Sequence, residues 1–393
     1  MTQRAAPCLR TAIRYTSTTA RLARRGKASL TTAGVGAAAN LHAIQDEFGR
    51  QAVWFETDWN KRSKRSTSEI MDWVMAVVNS SNKQTNNRTG MQQTTCNTSP
   101  STAGATAGAA ALDVATGTGI FARALAGAGC ASVVGIDVTK EMLAHAESSG
   151  SSNSLDDVTD VAPVLPSYLL CDAASMPFED DAFDLVTCRL AVHHFADPAV
   201  QLTEMARVCK PGGIVVVVDL ITVADPDHDG SDAEVKCAAA EHNRLEILRD
   251  PSHTRALSAT ELCGLVSASG LDLLQSEDGR TSTGESSIDG SGVAVPTLDV
   301  MMDLEAWMAS TNTPQAAQAE ITAAMEAEVG VTTTPPTLTG AGTIDTIDAT
   351  QESVKSFTST GTGMFPTQDD DGRILFTHTY AVVRGLKPHV QTA

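Results

Sequence analysis

The sequence predicts a doubly wound α/β fold with a mostly parallel sheet. Three observations predict it. Short, β-branched apolar runs alternate with helix-length segments from residue 110 onward. A small-residue, glycine-rich turn joins the first such run to the first such helix. Hydrophobic residues make up 42 % of 393, enough for a large core, and at 4 % aromatics that core leans on aliphatic side chains.

The elements follow in order. Residues 1–45 contain no Asp or Glu but carry Arg4, Arg10, Arg14, Arg21, Arg24, Arg25 and Lys27 among many Ser, Thr and Ala. That composition predicts an organelle transit peptide over 1–40, mitochondrial first and plastid second; a basic leader on a cytoplasmic protein is the alternative. Ile44, Phe48, Val53 and Trp54, then Ile70, Met71, Trp73, Val74, Val77 and Val78, recur at helical spacing and predict a helical segment over 41–79. Residues 80–109 are almost all small and polar and read as a flexible insertion.

The folded domain is expected over 110–386. Strands are predicted at 110–114, 132–137, 167–171, 183–189 and 214–219, with helices at 120–126, 140–147 and 198–208 between them. A Ser/Asp-rich loop spans 149–160, and Lys210-Pro211-Gly212-Gly213 reads as a turn. Further helices are predicted at 232–248 and 258–268, a strand at 271–274, and one or two helices over 304–328. Residues 276–296 and 331–363 read as disordered polar insertions, and 373–384 as a strand that closes the sheet.

Net charge is −19, which excludes a surface built to grip nucleic-acid phosphates. No apolar run is long enough for a membrane-spanning helix. Eight cysteines occur at 8, 96, 130, 171, 188, 209, 237 and 263, with no C-x-x-C pair and no zinc-module spacing. No metal is therefore expected, and the cysteines read as buried thiols in a reducing compartment.

The chemistry is expected around Asp113, Val114, Ala115, Thr116, Gly117, Thr118 and Gly119. An apolar strand ends in an acid, and a small-residue turn enters a helix whose N-terminal N–H groups suit an anionic ligand. Where a ligand lies on backbone, a Cβ collides, so glycine is needed. The second strand ends in Asp137, at the separation of about 20 residues expected for an acid that accepts ribose hydroxyls. The third ends at Asp172-Ala173, where the carboxylate can take an adenine amino group. Each acid alone is a common turn residue; three on successive strand tips form a joint signal.

These motifs, with Lys210 to Gly213 and the run Phe178 to Val186, resemble class I S-adenosylmethionine-dependent methyltransferases. The blocks Val186 to Phe195 and Asn243 to His253 resemble the subgroup of ubiquinone/menaquinone C-methyltransferases and their small-molecule relatives. The resemblance covers about residues 42–79 and 108–386. It implies a Rossmann-like sheet with an antiparallel last strand, a helical cap, S-adenosyl-L-methionine as cofactor and a small-molecule methyl acceptor. Asp113, Ala115, Thr116, Gly117, Gly119, Asp137, Val138, Asp172, Ala173, Met176 and Arg189 are then the cofactor-binding positions. Ala115 departs from the family, which most often has glycine there, and is expected to hold an ordinary negative φ.

Candidate catalytic residues are His194, His253 and Arg189. His193 and His194 follow strand four, where one ring can face the site. His253, after Pro251, can fold back as a lid. Arg189 can hold a substrate oxygen or, preferably, pair with Asp219 at the tip of the adjacent strand. Asn243 and Glu246 share a helix face, and Phe48, Gln51 and Trp54 belong to the cap. Two other functions fit the same turn. Gly117 to Ala122 also satisfies G-x-G-x-x-G/A, as an NAD(P)-dependent oxidoreductase requires. A non-catalytic cofactor-binding assembly protein would keep the fold alone.

Overall fold

The computed structural model describes residues 32–55, 108–149, 164–222, 233–274, 297–311, 313–329 and 363–389. The expected leader up to residue 31, the second cap helix, and most of the polar insertions lie outside these residues. Helix α1 spans Thr32–Trp54, so it begins inside the segment expected as leader.

The expected α/β series is present. β1 is Ala110–Val114, α2 Ile120–Gly127, β2 Ser132–Asp137, α3 Lys140–Ser149, β3 Ser167–Leu170, β4 Phe183–Arg189 and α4 Pro198–Val208. β5 is Cys209–Thr222, α5 Ala233–Arg249, β6 Leu257–Ser258, α6 Ala259–Ala268 and β7 Asp272–Leu273. β8 is Thr297–Asp303, α7 Leu304–Ser310, α8 Gln315–Glu328, β9 Thr367–Gln368 and β10 Ile374–Leu386. The sheet order is β3-β2-β1-β4-β5-β10-β7, parallel from β3 to β5. β10 runs antiparallel to β5, from Thr379 opposite Ile221 to Leu386 opposite Ile214.

Alternation along the strands covers both faces. Leu112, Val114, Val186, Val215 and Val217 pack with Leu202 and Met205 of α4 and Leu262 and Val266 of α6. Ala111, Val133, Leu185, Val216 and Val218 face the other way, onto Phe121, Ala122 and Leu125 of α2. This is why these strands read as continuous apolar runs.

The Lys210 to Gly213 turn lies within β5 as a bulge. Phe183 opposes Cys209, while Leu185 already opposes Ile214. Gly212 holds φ 80°, and its N–H donates to the carbonyl of Lys387. The Lys387 ammonium in turn reaches Asp181 Oδ1 at 2.7 Å and the Cys209 carbonyl at 2.8 Å.

β8 was not foreseen. It pairs with the outer half of β10, from Leu375 opposite Asp303 to Ala381 opposite Thr297. With α5, α7 and α8 this half of β10 encloses a separate apolar cluster of Leu245, Trp307, Met308, Ile321, Met325 and Phe376. The layer forms one wall beyond the carboxyl ends of the strands.

Candidate functional site

A cavity of about 970 Å³ lies at those strand ends. It is lined by Asp113, Asp137 and Asp172, by Ala115, Thr116 and Gly117 of the turn, and by Val138 and Ala173. The three acids predicted from separate strands therefore share one cleft.

Asp113 is buried. Its Oδ2 accepts the Thr116 hydroxyl at 2.6 Å and its Oδ1 the Thr187 hydroxyl at 2.8 Å. Burial pushes its carboxyl up to about 6, against those two hydrogen bonds and the charge of Arg189. Asp137 braces the turn, its Oδ2 accepting the Gly117 N–H and its Oδ1 the Thr139 N–H, each at 2.8 Å. Burial raises its pKa, and these N–H groups oppose the rise. Asp172 Oδ1 accepts the Ala174 N–H at 2.8 Å, which holds the carboxylate at the cavity edge.

Gly117 and Gly119 both need positive φ, 55° and 76°, but for different reasons. A Cβ on Gly117 would meet nothing within 4 Å, so the space beside it belongs to the cavity. A Cβ on Gly119 would strike the Tyr168 hydroxyl and Ala146. Gly119 thus permits close packing and does not line the cavity. Met176 does not line it either; it is buried in the core cluster on the α4 face.

Ala115 overturns its expectation. It lines the cavity at φ +54°, in the left-handed region. That costs an L-residue roughly 1–2 kcal/mol, partly offset in alanine's favour by the larger unfolded-state entropy of glycine. Ala115→Gly is accordingly expected to raise the unfolding free energy by about 0.5–1 kcal/mol. Urea titration of both proteins checks this, and a loss of stability would refute the strain.

Arg189 does not pair with Asp219. It lines the cavity with its guanidinium 5.8 Å from the Phe121 ring centre. Burial lowers its pKa, and Asp113 is the foremost charge sustaining it. Asp219 is taken by His193, which sits on a 3₁₀ turn, Val192–His194, directly after β4. The His193 ring Nδ1 makes a short contact with Asp219 Oδ1, and its backbone N–H donates to Oδ2 at 3.1 Å. A carboxylate only accepts, so Nδ1 carries the proton, and in the neutral ring Nε2 keeps the lone pair. Burial works to lower this imidazole's pKa, yet Asp219's charge and hydrogen bond outweigh it and leave the value raised.

His194 also lines the cavity, but as a neutral ring. Its Nδ1 donates to the Ser252 carbonyl at 3.1 Å, and Phe48 of α1 meets it edge-on at 4.9 Å. Burial, then the neighbouring His193, push it down to about 4. His253 is no lid. It is buried behind the pair, 5.3 Å from the His193 ring, with Nε2 donating to Asn243 Oδ1 at 3.1 Å. It does not line the cavity, and burial drives it down to about 2. Asn243 also accepts the Ala256 N–H at 2.7 Å, so it pins this loop, whereas Glu246 does line the cavity.

The depressed value of His194 carries a sign. Its folded pKa lies below 6.5, so its contribution to stability is full above that value and is lost as pH falls toward about 4. Asp113, raised to about 6, acts oppositely because acid relieves its buried charge. His194→Phe keeps the ring contact and removes the titration. Between about pH 7 and about pH 5 its unfolding free energy is expected to change by about 2 kcal/mol less unfavourably than the wild type's. Denaturant titration at both pH values reads this directly; parallel curves would exclude it.

The α1 helix covers the cleft. Phe48, Gln51 and Trp54 line it, Asn40 Nδ2 donates to Thr254 Oγ1 at 3.0 Å, and Gln45 Nε2 to the Val138 carbonyl at 3.1 Å.

The profile of the family described as a methyltransferase domain matches residues 112–217. An uncharacterized methyltransferase, YcgJ, of Bacillus subtilis is 36 % identical over 138 residues, covering 35 % of this chain and 47 % of that protein. A ubiquinone/menaquinone biosynthesis C-methyltransferase, UbiE, of Burkholderia multivorans is 38 % identical over 117 residues, covering 29 % of this chain and 44 % of that protein. The chain thus spans about half the length of the curated relatives it matches. The crystal structure of the Bacillus YcgJ protein superposes with TM-score 0.51 at 24 % identity, covering 73 % of this chain and 95 % of that one, a likeness of fold.

Proposed function

We propose that this chain, whose residues 112–217 match the methyltransferase-domain family, is a class I S-adenosylmethionine-dependent methyltransferase and methylates a small molecule held in the cavity described above. The observation that carries the reading is the convergence of Asp113, Asp137, Asp172 and Gly117 on one cleft. Its volume is at the top of the roughly 300–1,000 Å³ typical of ligand sites, which suits a cofactor together with a small acceptor.

When bound, S-adenosyl-L-methionine supplies a methyl group already activated on a cationic sulfonium. The residues present fit it. Gly117 leaves the space a Cβ would fill, and the free N–H groups at the start of α2 suit a carboxylate. Each Asp137 oxygen holds one backbone N–H and retains a lone pair for a ribose hydroxyl. Asp172 offers its carboxylate to an amino group, with Val138 and Ala173 as apolar walls. Phe48 and Trp54 exclude water from above.

His193, rather than His194 or His253, is the general base of this reading. Nε2 takes the proton that an acceptor hydroxyl or acidic carbon must lose, and Asp219 stabilises the resulting imidazolium. Arg189 lines the same cavity and offers a guanidinium to an acceptor oxygen.

Calorimetric titration of the full chain separates cofactors. S-adenosyl-L-methionine is expected to bind at one site and NAD not at all; the reverse would end the proposal. Incubation with a labelled methyl donor and a small-molecule extract, read by mass spectrometry, then identifies the acceptor.

A further inference from the structure

On the far wall of the cavity, His242 and Glu246 of α5 meet His378 of β10. All three are buried, with relative exposures of 2 %, 0 % and 4 %. One ligand atom from each lies within 4.8 Å of the others. We propose that these three side chains bind a divalent transition-metal ion of the zinc class.

The polar atoms involved are incompletely matched, those of His242 most of all. Neither ring nitrogen of His242 has a hydrogen-bond partner. His378 Nε2 and Glu246 Oε1 stand 3.0 Å apart, yet neither makes an aligned hydrogen bond. Leaving buried polar atoms unmatched is destabilising, so such a group calls for a ligand. A cation between them would satisfy His242, His378 and Oε1 together.

Outer contacts orient two of the ligands as a metal centre requires. His378 Nδ1 faces the Tyr380 hydroxyl at 3.4 Å, leaving Nε2 for coordination. Glu246 Oε2 accepts from Arg249 Nε at 2.9 Å, leaving Oε1. Two imidazoles and one carboxylate form the ligand set of open zinc and ferrous sites. Arg249 offsets the charge of Glu246, so affinity must come from the imidazole nitrogens. That favours zinc, cobalt or copper over magnesium and calcium. Glu246 and His378 line the cavity, so coordination positions on that side open to water or to an oxygen of a bound molecule.

The full chain, stripped with a chelator, is expected to take up one equivalent of Zn²⁺ or Co²⁺ and to ignore Mg²⁺. The Co²⁺ form should show visible ligand-field bands without the near-ultraviolet charge transfer of a thiolate ligand. His242→Ala and Glu246→Gln should each weaken Zn²⁺ binding by about tenfold or more. Zn²⁺ should raise the melting temperature of the wild type but not of either variant. No uptake, a thiolate band, or unchanged affinity in both variants would overturn the proposal. The cobalt spectrum needs no variant, so misfolded mutants leave the test intact. Cofactor titration is a separate readout and does not depend on this result.

Discussion

Gly117→Ala is expected to weaken S-adenosyl-L-methionine binding by about 100-fold, on the order of 3 kcal/mol. The added methyl would enter the cavity where the cofactor must touch backbone. Gly117 also sits at φ +55°, so alanine there costs a further 0.5–1 kcal/mol, roughly, of fold stability. The two effects are separable. Calorimetry reads the affinity, and a denaturant titration confirms that the protein is folded. The neighbouring Ala115 already holds a left-handed φ, so the turn tolerates such a residue. Affinity within about threefold of wild type would mean that no ligand lies against this turn.

The second large effect concerns His193. His193→Gln should slow methyl transfer by about 10²–10⁴-fold, the usual contribution of a positioned base, with cofactor affinity unchanged. Asp219→Asn should act in the same direction, because an amide no longer holds Nδ1 protonated or stabilises the imidazolium. The wild-type rate should rise with pH through an inflection above 6.5, because the base form of an imidazole with a raised pKa is the active one. Removing His193 should abolish that inflection. A variant that keeps both rate and profile would show that the acceptor reacts without a base, or that another group serves. Single-turnover measurements with the acceptor identified by labelling give the rates.

Why some of this was legible in the sequence and some was not is a matter of range. β1, β2 and β4 were delimited correctly because strands buried on both faces stand out as short apolar runs. The acids at residues 113, 137 and 172 were legible because each stands at or next to the carboxyl end of a short apolar run. β8 was not, since Val300-Met301-Met302 breaks the alternation of Thr297–Asp303 and the segment runs straight from a polar insertion into a helix. The partner of Asp219 was also ambiguous. Arg189 and His193 lie four residues apart around the tip of β4, and only the 3₁₀ turn decides which reaches it. Nothing in an alanine announces a positive φ. His378 joins His242 and Glu246 only through the path of β10, and no spacing rule connects residues so distant in the chain.

The position of β10 has a consequence for synthesis. It lies between β5 and β7, although it follows β7 by about 100 residues. A chain emerging from the ribosome therefore completes β5 long before its neighbour exists. During that interval the apolar flank of β5 is an open template for other chains. Translation through the long intervening stretch is thus the period of greatest aggregation hazard, and chaperone demand should peak there.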